Sequence, residues 1–368
     1  MKKNIVYYHG KTQYFNTGDA LINKSLIDFI TQFGEVEINL KDAPDNYLKD
    51  LKIVSNRTVS KSYLSFVFQI IKGIIQNSKK YNQIYFISSP PGHQFGSGYK
   101  AFFKELIVAF SYFLLYCFKV KIIKIGFSLG PLDARLKLLE RFKTNFMSSY
   151  LVRDQISYNY AKNLGIDKVD FFPDLAWTYD VLPKEDIKNG VFISFRDQIF
   201  TGANNEKYIE QLIFTLKNII KSNFSKNRIV IGFQVSEDKQ FCDKLFQLLK
   251  QEYNIEFISE QIFLSNAHIF SSFEYVLTNR LHVALLGFQY GCIPIILTDL
   301  NKHLKIKGIF EHADSRDLLI DISEPIHLIN NKMDLIISSK RDIYEKLIIK
   351  EDNYYKSSLI KLKEIFND

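Results

Sequence analysis

The chain has 368 residues, enough for two domains and too many for one ordinary core. With 46% hydrophobic and 24% charged residues it has the makeup of a globular protein, which excludes a disordered or low-complexity chain. The formal net charge of +8 favours a phosphorylated substrate or an anionic membrane face; without an RGG repeat, a dense Lys/Arg block or zinc-finger spacing, no nucleic-acid partner is expected.

In chain order, short apolar runs alternate with helical patterns. The start M-K-K-N-I-V-Y-Y-H-G has too short an apolar run for a signal peptide, and residues 4–8 predict a strand. Residues 20–33 predict a helix capped by Asn16 or Thr17, with Asp19 in its first turn. A strand at 35–39, a helix at 62–76 and a strand at 83–88 follow, the last running into the breaker-rich loop S-P-P-G-H-Q-F-G-S-G. Residues 100–118 predict a long helix; its apolar stretch, 106–118, falls short of the ~20 residues a bilayer span needs and reads as a buried helix. A strand at 120–127 ends at the loop S-L-G-P, residues 133–146 are helical, 150–152 form a short strand, and a helix at 154–164 stops at Gly165. A strand at 169–172 closes this half. Beyond a polar linker at 182–189, strands are predicted at 190–194, 228–233, 256–258, 275–278 and 294–297, and helices at 206–222, 236–251, 265–272, 281–290 and from around 332 onward. Nearly continuous apolar strands between helices indicate α/β architecture with parallel sheets covered on both faces, hence two Rossmann-like domains. Cys117, Cys242 and Cys292 are far apart and form no C-x-x-C pair, and read as buried thiols in a reducing cytoplasm.

Ligands of such sheets bind at the carboxyl ends of the strands, so the loops there carry the candidate residues. In H-G-K-T-Q-Y-F-N-T-G-D-A, Asn16, Gly18 and Asp19 either bring backbone and a carboxylate to a ligand or form an ordinary helix cap; P-loop spacing is missing. The glycines of the S-P-P-G loop offer backbone N–H groups to an anion, or make a simple turn. Ser128 and Gly130 lie in G-F-S-L-G-P-L-D, a ligand contact or a connector. Arg153 follows the strand in L-V-R-D, placed for bidentate contact with a phosphate or carboxylate, or for a structural salt bridge; Asp154 reads as a helix cap. I-S-F-R-D repeats that arrangement at Arg196. The sharpest signal is Y-V-L-T-N-R-L-H, where Arg280 and His282 sit at a helix start. That is an anion site with a proton donor attached, or a buried histidine beside a helix-start arginine. Lys302 reaches the same side. The remaining histidines lack metal-ligand spacing, so no metal is expected.

Together, N-T-G-D-A (16–20), S-L-G-P (128–131), V-R-D-Q-I-S (152–157), P-D (173–174), I-S-F-R (193–196), N-R-L-H (279–282) and G-C-I-P (291–294), with Lys302 beyond, resemble the polysaccharide pyruvyltransferase family over residues 1–310. S-P-P-G at 89–92 departs from the glycine-rich run that many members carry. The resemblance implies a GT-B-like fold: Rossmann-like domains at 1–184 (acceptor side) and 185–340 (donor side) facing a cleft, and a C-terminal helix, 341–368, crossing back to the first domain. It implies phosphoenolpyruvate as donor and co-substrate, no cofactor, and a pyruvate ketal formed on a sugar of a bacterial capsule or exopolysaccharide intermediate carried on a lipid. Donor contacts map onto Arg153, Arg280, the Leu281 backbone, His282 and Lys302. His282 would be the general acid and Asp19 the base or acceptor anchor, with Asn16, Gly18, Ser128, Gly130 and Arg196 in the acceptor or cleft loops. A lipid-linked acceptor and the basic charge place the protein in the cytoplasm, peripheral to the inner membrane face. The competing reading is a GT-B glycosyltransferase with a nucleotide-sugar donor, which would use the same fold and set the same cations on a diphosphate.

Overall fold

A computed structural model of the chain describes residues 3–53, 57–77, 80–179, 189–197 and 205–367. Residues 182–188 of the expected linker lie outside these. The chain divides into two compact units, one built from residues 3–14, Ile22–Leu175 and the chain from Tyr354 on, the other from Phe15–Leu21 and Ala176–Asn353.

The first unit contains, in chain order, β1 (Lys3–His9), α1 (Thr17–Ile30, whose first turn belongs to the second unit), β2 (Glu35–Asn39), α2 (Asp45–Leu51), β3 (Thr58–Val59), α3 (Tyr63–Asn77), β4 (Tyr81–Ile87), β5 (His93–Gly96), α4 (Tyr99–Cys117), β6 (Lys121–Leu132), α5 (Ala134–Thr144), β7 (Met147–Val152), α6 (Gln155–Asn163) and β8 (Val169–Phe171). The sheet runs β3-β2-β1-β4-β6-β7-β8, with β5 added beside β6. Its pairs are parallel, and the order reverses between β1 and β4, as in doubly wound sheets. Phe66, Phe86, Ile122, Phe127 and Tyr150 fill the core.

Three expectations are corrected here. The strand expected to stop at 127 continues through S-L-G-P to Leu132, because the breaker-rich loop supplies β5 as its partner: His93 is in register with Ser128, and Ser128 N–H donates to Gly92 O at 2.7 Å. Gly130 takes φ +95°, and a Cβ there would meet the Tyr160 ring at 3.0 Å. The helix over 106–118 is not buried; on α4 only Ala109, Ser111, Tyr112 and Leu115 are. Cys117 is exposed, whereas Cys242 and Cys292 are buried. Among the described residues, no helix is long and apolar enough to cross a membrane.

The second unit contains β9 (Val191–Ser194), α7 (Asn205–Ile219), β10 (Ile229–Ile231), α8 (Lys239–Leu249), β11 (Ile255–Phe257), β12 (Tyr275–Thr278), α9 (Leu281–Gln289), β13 (Ile293–Thr298), α10 (Leu304–His312), β14 (Leu319–Asp321), α11 (Ile326–Ser338) and α12 (Lys340–Asn367), the last of which continues into the first unit. The order is β11-β10-β9-β12-β13-β14, again parallel, reversing between β9 and β12. All residues of β9, β12 and β13 are buried, as strands covered on both faces require. Short α2, β3, α10 and β14 were not among the elements expected from the sequence.

The end of α12 packs into the first unit. Phe366 stacks on Phe33 at 5.0 Å and meets Tyr85 edge-on at 4.6 Å, and its carbonyl accepts from Asn4 Nδ2 and the Tyr85 hydroxyl. Lys361 pairs with Asp170 at 2.6 Å. The C-terminal helix thus returns to the N-terminal sheet.

Candidate active site

In the second unit the strand order reverses between β9 and β12, and two residues past the ends of these strands stand Arg196 and Arg280. Crevices at such reversals, off the carboxyl strand ends, are where doubly wound sheets bind ligands. Asn279 fastens the two strand ends together. Its Oδ1 accepts from Arg196 N–H at 2.9 Å, and its Nδ2 donates to Arg196 O at 2.8 Å and to the Tyr208 hydroxyl at 3.1 Å. Asn279 is fully buried, so these bonds replace water it cannot reach.

The arginines are half-buried and close enough to repel. Burial first, and the Arg280 charge second, lower the Arg196 guanidinium to about 10. Arg280 Nη2 is paired with Asp238. Burial raises the Asp238 carboxyl, against the pull of Arg280. Among the described residues no carboxylate lies within ion-pair distance of Arg196, and the Nε atoms of both arginines are buried without a hydrogen-bond partner. Arg280 stands at the N-cap of α9 with no side-chain cap, so the first N–H groups of that helix also face this region.

His282 lies in the first turn of α9, and the segment Phe15–Leu21 is folded over it. Thr17 Oγ1 lies 2.9 Å from Gln234 O and 2.7 Å from Ile262 O, its one proton shared between the two carbonyls, and Asn16 bridges Val235. Gly18 is thereby pressed on the imidazole: a Cβ there would lie 2.0 Å from His282 Nδ1 and 2.7 Å from its Cβ. Asn16 caps α1 by accepting from Gly18 N–H at 3.0 Å, and its Nδ2 holds Asp19 Oδ1 at 3.2 Å. Asp19 is half-buried.

Past β13, Lys302 is largely exposed, 3.3 Å from Asp299. The inward residue is its neighbour His303, 6% exposed, with Nε2 3.5 Å from Arg196 Nη2 and Nδ1 3.2 Å from Thr298 Oγ1. Burial, then Arg196, Lys305 and Arg280, lower it to about 3. His303, Asp238 and Asn279 were missed as site residues. Asn279, inside N-R-L-H, is the one a motif could have flagged.

The structure thus gathers Asn16, Gly18, Asp19, Arg196, Arg280, Leu281 and His282 in the second unit, with Lys302 at its surface. Arg153, Ser128 and Gly130 lie in the first. There Arg153 Nη1 pairs with Asp174 at 2.8 Å, and its Nε donates to Ser128 Oγ at 2.8 Å. Ser128 in turn donates to Asp154 Oδ2 at 2.6 Å, while Asp154 Oδ1 caps α6 through Ser157 N–H. Both V-R-D and P-D therefore belong to one buried network. Among the described residues, no cluster of three or more His, Cys, Asp or Glu could hold a metal ion.

The two-sheet plan is shared with solved structures of low identity. A UDP-GlcNAc 2-epimerase from Neisseria meningitidis superposes with a TM-score of 0.60 at 11% identity, covering 100% of both chains. An alpha,alpha-trehalose-phosphate synthase (UDP-forming) from Burkholderia vietnamiensis gives 0.58 at 9% identity, covering 100% of this chain and 99% of that one. These likenesses establish the GT-B-like fold. No curated protein matches the sequence. The family model for polysaccharide pyruvyl transferase matches residues 16–298, which run from the Asn16 cap over His282 to the end of β13. By that match the chain belongs to the polysaccharide pyruvyl transferase family and is a transferase.

Proposed function

We propose that the chain moves the enolpyruvyl group of phosphoenolpyruvate onto a sugar of a lipid-linked surface-polysaccharide intermediate, closing a pyruvate ketal and releasing phosphate. The observation that supports this is the pair Arg196 and Arg280 at the sheet reversal, close-set and half-buried, with Asp238 as the carboxylate on Arg280 and His282 two residues beyond it in the first turn of α9. A donor bearing a carboxylate and a phosphate supplies the negative charge that two adjacent cations need, through charge-assisted bonds to guanidinium N–H groups and the uncapped start of α9 at Leu281.

In this reading His282 protonates the methylene carbon, which makes C2 electrophilic. One sugar hydroxyl adds to C2, the C2–O bond to phosphate breaks, and a second hydroxyl closes the ketal. Two hydroxyl protons are released; one replaces the proton now in the methyl group and the other leaves with phosphate. Asp19, in the loop folded over His282, takes the first of them. Lys302 adds positive charge at the rim. A lipid-linked acceptor would bring the protein to the inner membrane face.

The test is incubation with phosphoenolpyruvate and a panel of lipid-linked saccharides, following phosphate and the acceptor mass. One pyruvyl ketal gained per phosphate released is expected. Arg280→Ala should weaken donor binding roughly 10- to 150-fold, the loss of a charge-assisted bond. His282→Gln should keep donor affinity while turnover falls about 10²–10⁴-fold. Phosphoenolpyruvate left intact while a nucleotide sugar is consumed would overturn the reading in favour of glycosyl transfer.

A further inference from the structure

Helix α4 is apolar on both sides, yet only one side is buried. Ala109, Tyr112 and Leu115 face the core, whereas Tyr99, Phe103, Ile107, Phe110 and Phe113 form an exposed stripe at helical spacing, with Phe103 and Phe110 each 60% exposed. Helix α5 extends it: Phe113 of α4 and Phe142 of α5 both pack edge-on against Phe146, at 5.6 and 5.1 Å. A helix that is hydrophobic all round normally lies inside a protein, so this outer stripe calls for a partner.

The charges around the stripe say which. Lys100 and Lys104 on α4, and Arg135, Lys137 and Arg141 on α5, are exposed. The carboxylates of the two helices are taken up by buried lysines: Glu105 pairs with Lys143, and Glu140 with Lys143 at 2.6 Å and Lys124 at 2.9 Å. The fringe is therefore cationic. Arg135 lies 4.0 Å over the Tyr99 ring and donates to its hydroxyl at 2.9 Å, joining a cation to an amphipathic aromatic at the edge of the stripe. A two-fold dimer through this face would set the cationic fringe against its own copy. An anionic bilayer offers the complement of both parts at once, acyl chains for the stripe and phosphate head groups for the fringe.

We infer that the outer face of α4, with α5 beside it, is a membrane-docking surface, on which α4 lies in the interface plane of an anionic bilayer. This rests on the surface alone and is independent of the donor chemistry above. It gives the cationic balance of the chain a location, and α4 lies along the membrane without spanning it.

Co-sedimentation of the full chain with vesicles tests it. Binding is expected to vesicles of phosphatidylglycerol and phosphatidylcholine and to be at least tenfold weaker to phosphatidylcholine alone, with attachment falling as salt rises. The double substitution Phe103→Ser, Phe110→Ser should weaken binding at least tenfold with its thermal melting curve unchanged, since both side chains are exposed. Lys104→Glu with Arg135→Glu should remove the salt-sensitive part. No binding to anionic vesicles at low salt, or wild-type binding by the serine variant, overturns the inference. So does a wild-type dimer in sedimentation that the serine substitutions convert to monomer, because a second copy would then be the occupant.

Discussion

At the scale of single residues, Gly18 explains why N-T-G-D-A sits so far in sequence from N-R-L-H yet belongs with it. Thr17 anchors the loop on two carbonyls, and the absent side chain at 18 lets the backbone close over the His282 ring. Gly18→Ala places a methyl group where the imidazole now is, and the collision reaches His282 Cβ, so a rotation of the ring alone does not relieve it. Displacing a reacting group by about 1 Å can cost on the order of 10² in rate. We expect Gly18→Ala to lower turnover by about that factor while donor affinity changes little. Combined with His282→Gln it should add almost nothing, because both changes act through the same imidazole. Full turnover in Gly18→Ala, measured in single-turnover experiments, would mean that His282 is not the reacting acid.

At the scale of elements, the alternation of strand and helix was legible because parallel strands buried on both faces read as unbroken apolar runs: β9, β12 and β13 are such runs. Their ends were less legible. The continuation of β6 to Leu132 depends on pairing with β5, a long-range contact in a segment whose prolines and glycines look like a loop. The outward face of α4 is invisible to hydrophobicity, which predicts burial. In the site, Arg196, Arg280 and His282 were legible from their place after strands, but the inward turn of His303 in place of Lys302 depends on how the chain leaves β13. For Arg153 the sequence left a ligand contact and a structural ion pair open. It lies within the Asp174–Ser128–Asp154 network, its side chain and that of Asp174 almost wholly shielded. Asp174→Asn leaves that cation buried without its partner, which typically costs about 3–5 kcal/mol. A fall of that size in urea unfolding of the first unit is expected, with donor affinity largely retained. Unchanged stability with lost donor affinity would instead assign Arg153 to the donor.

At the scale of the whole molecule, half-buried His9 in the first unit and buried His303 in the second are both held below the ordinary histidine value, and this links stability to pH. Burial, then the charges of Lys11 and Lys104, lower His9 in the first unit to about 4. His303 in the second is lowered to about 3. Both folded values lie below the unfolded value of about 6.5, so the unfolded chain takes up these protons first as pH falls. Their contribution is fully present above about pH 6.5 and is lost on acidification toward 4 and 3 respectively. The slope reaches at most about 1.4 kcal/mol per pH unit for each histidine. Acid-side loss should therefore begin well above the carboxylate range, and Glu140, held low by Lys124 and Lys143 against its burial, adds to it only below about 4.5. His303→Gln keeps a polar side chain beside Thr298 and removes the titration. Urea midpoints between pH 7.5 and 5 should then fall less steeply, by up to one proton, in the transition of the second unit, while His9→Gln flattens the first. A single cooperative transition would respond to both variants alike. A His303→Gln protein that keeps the full wild-type slope would mean that His303 takes up its proton while folded, and the neutral imidazole beside Arg196 would have to be abandoned.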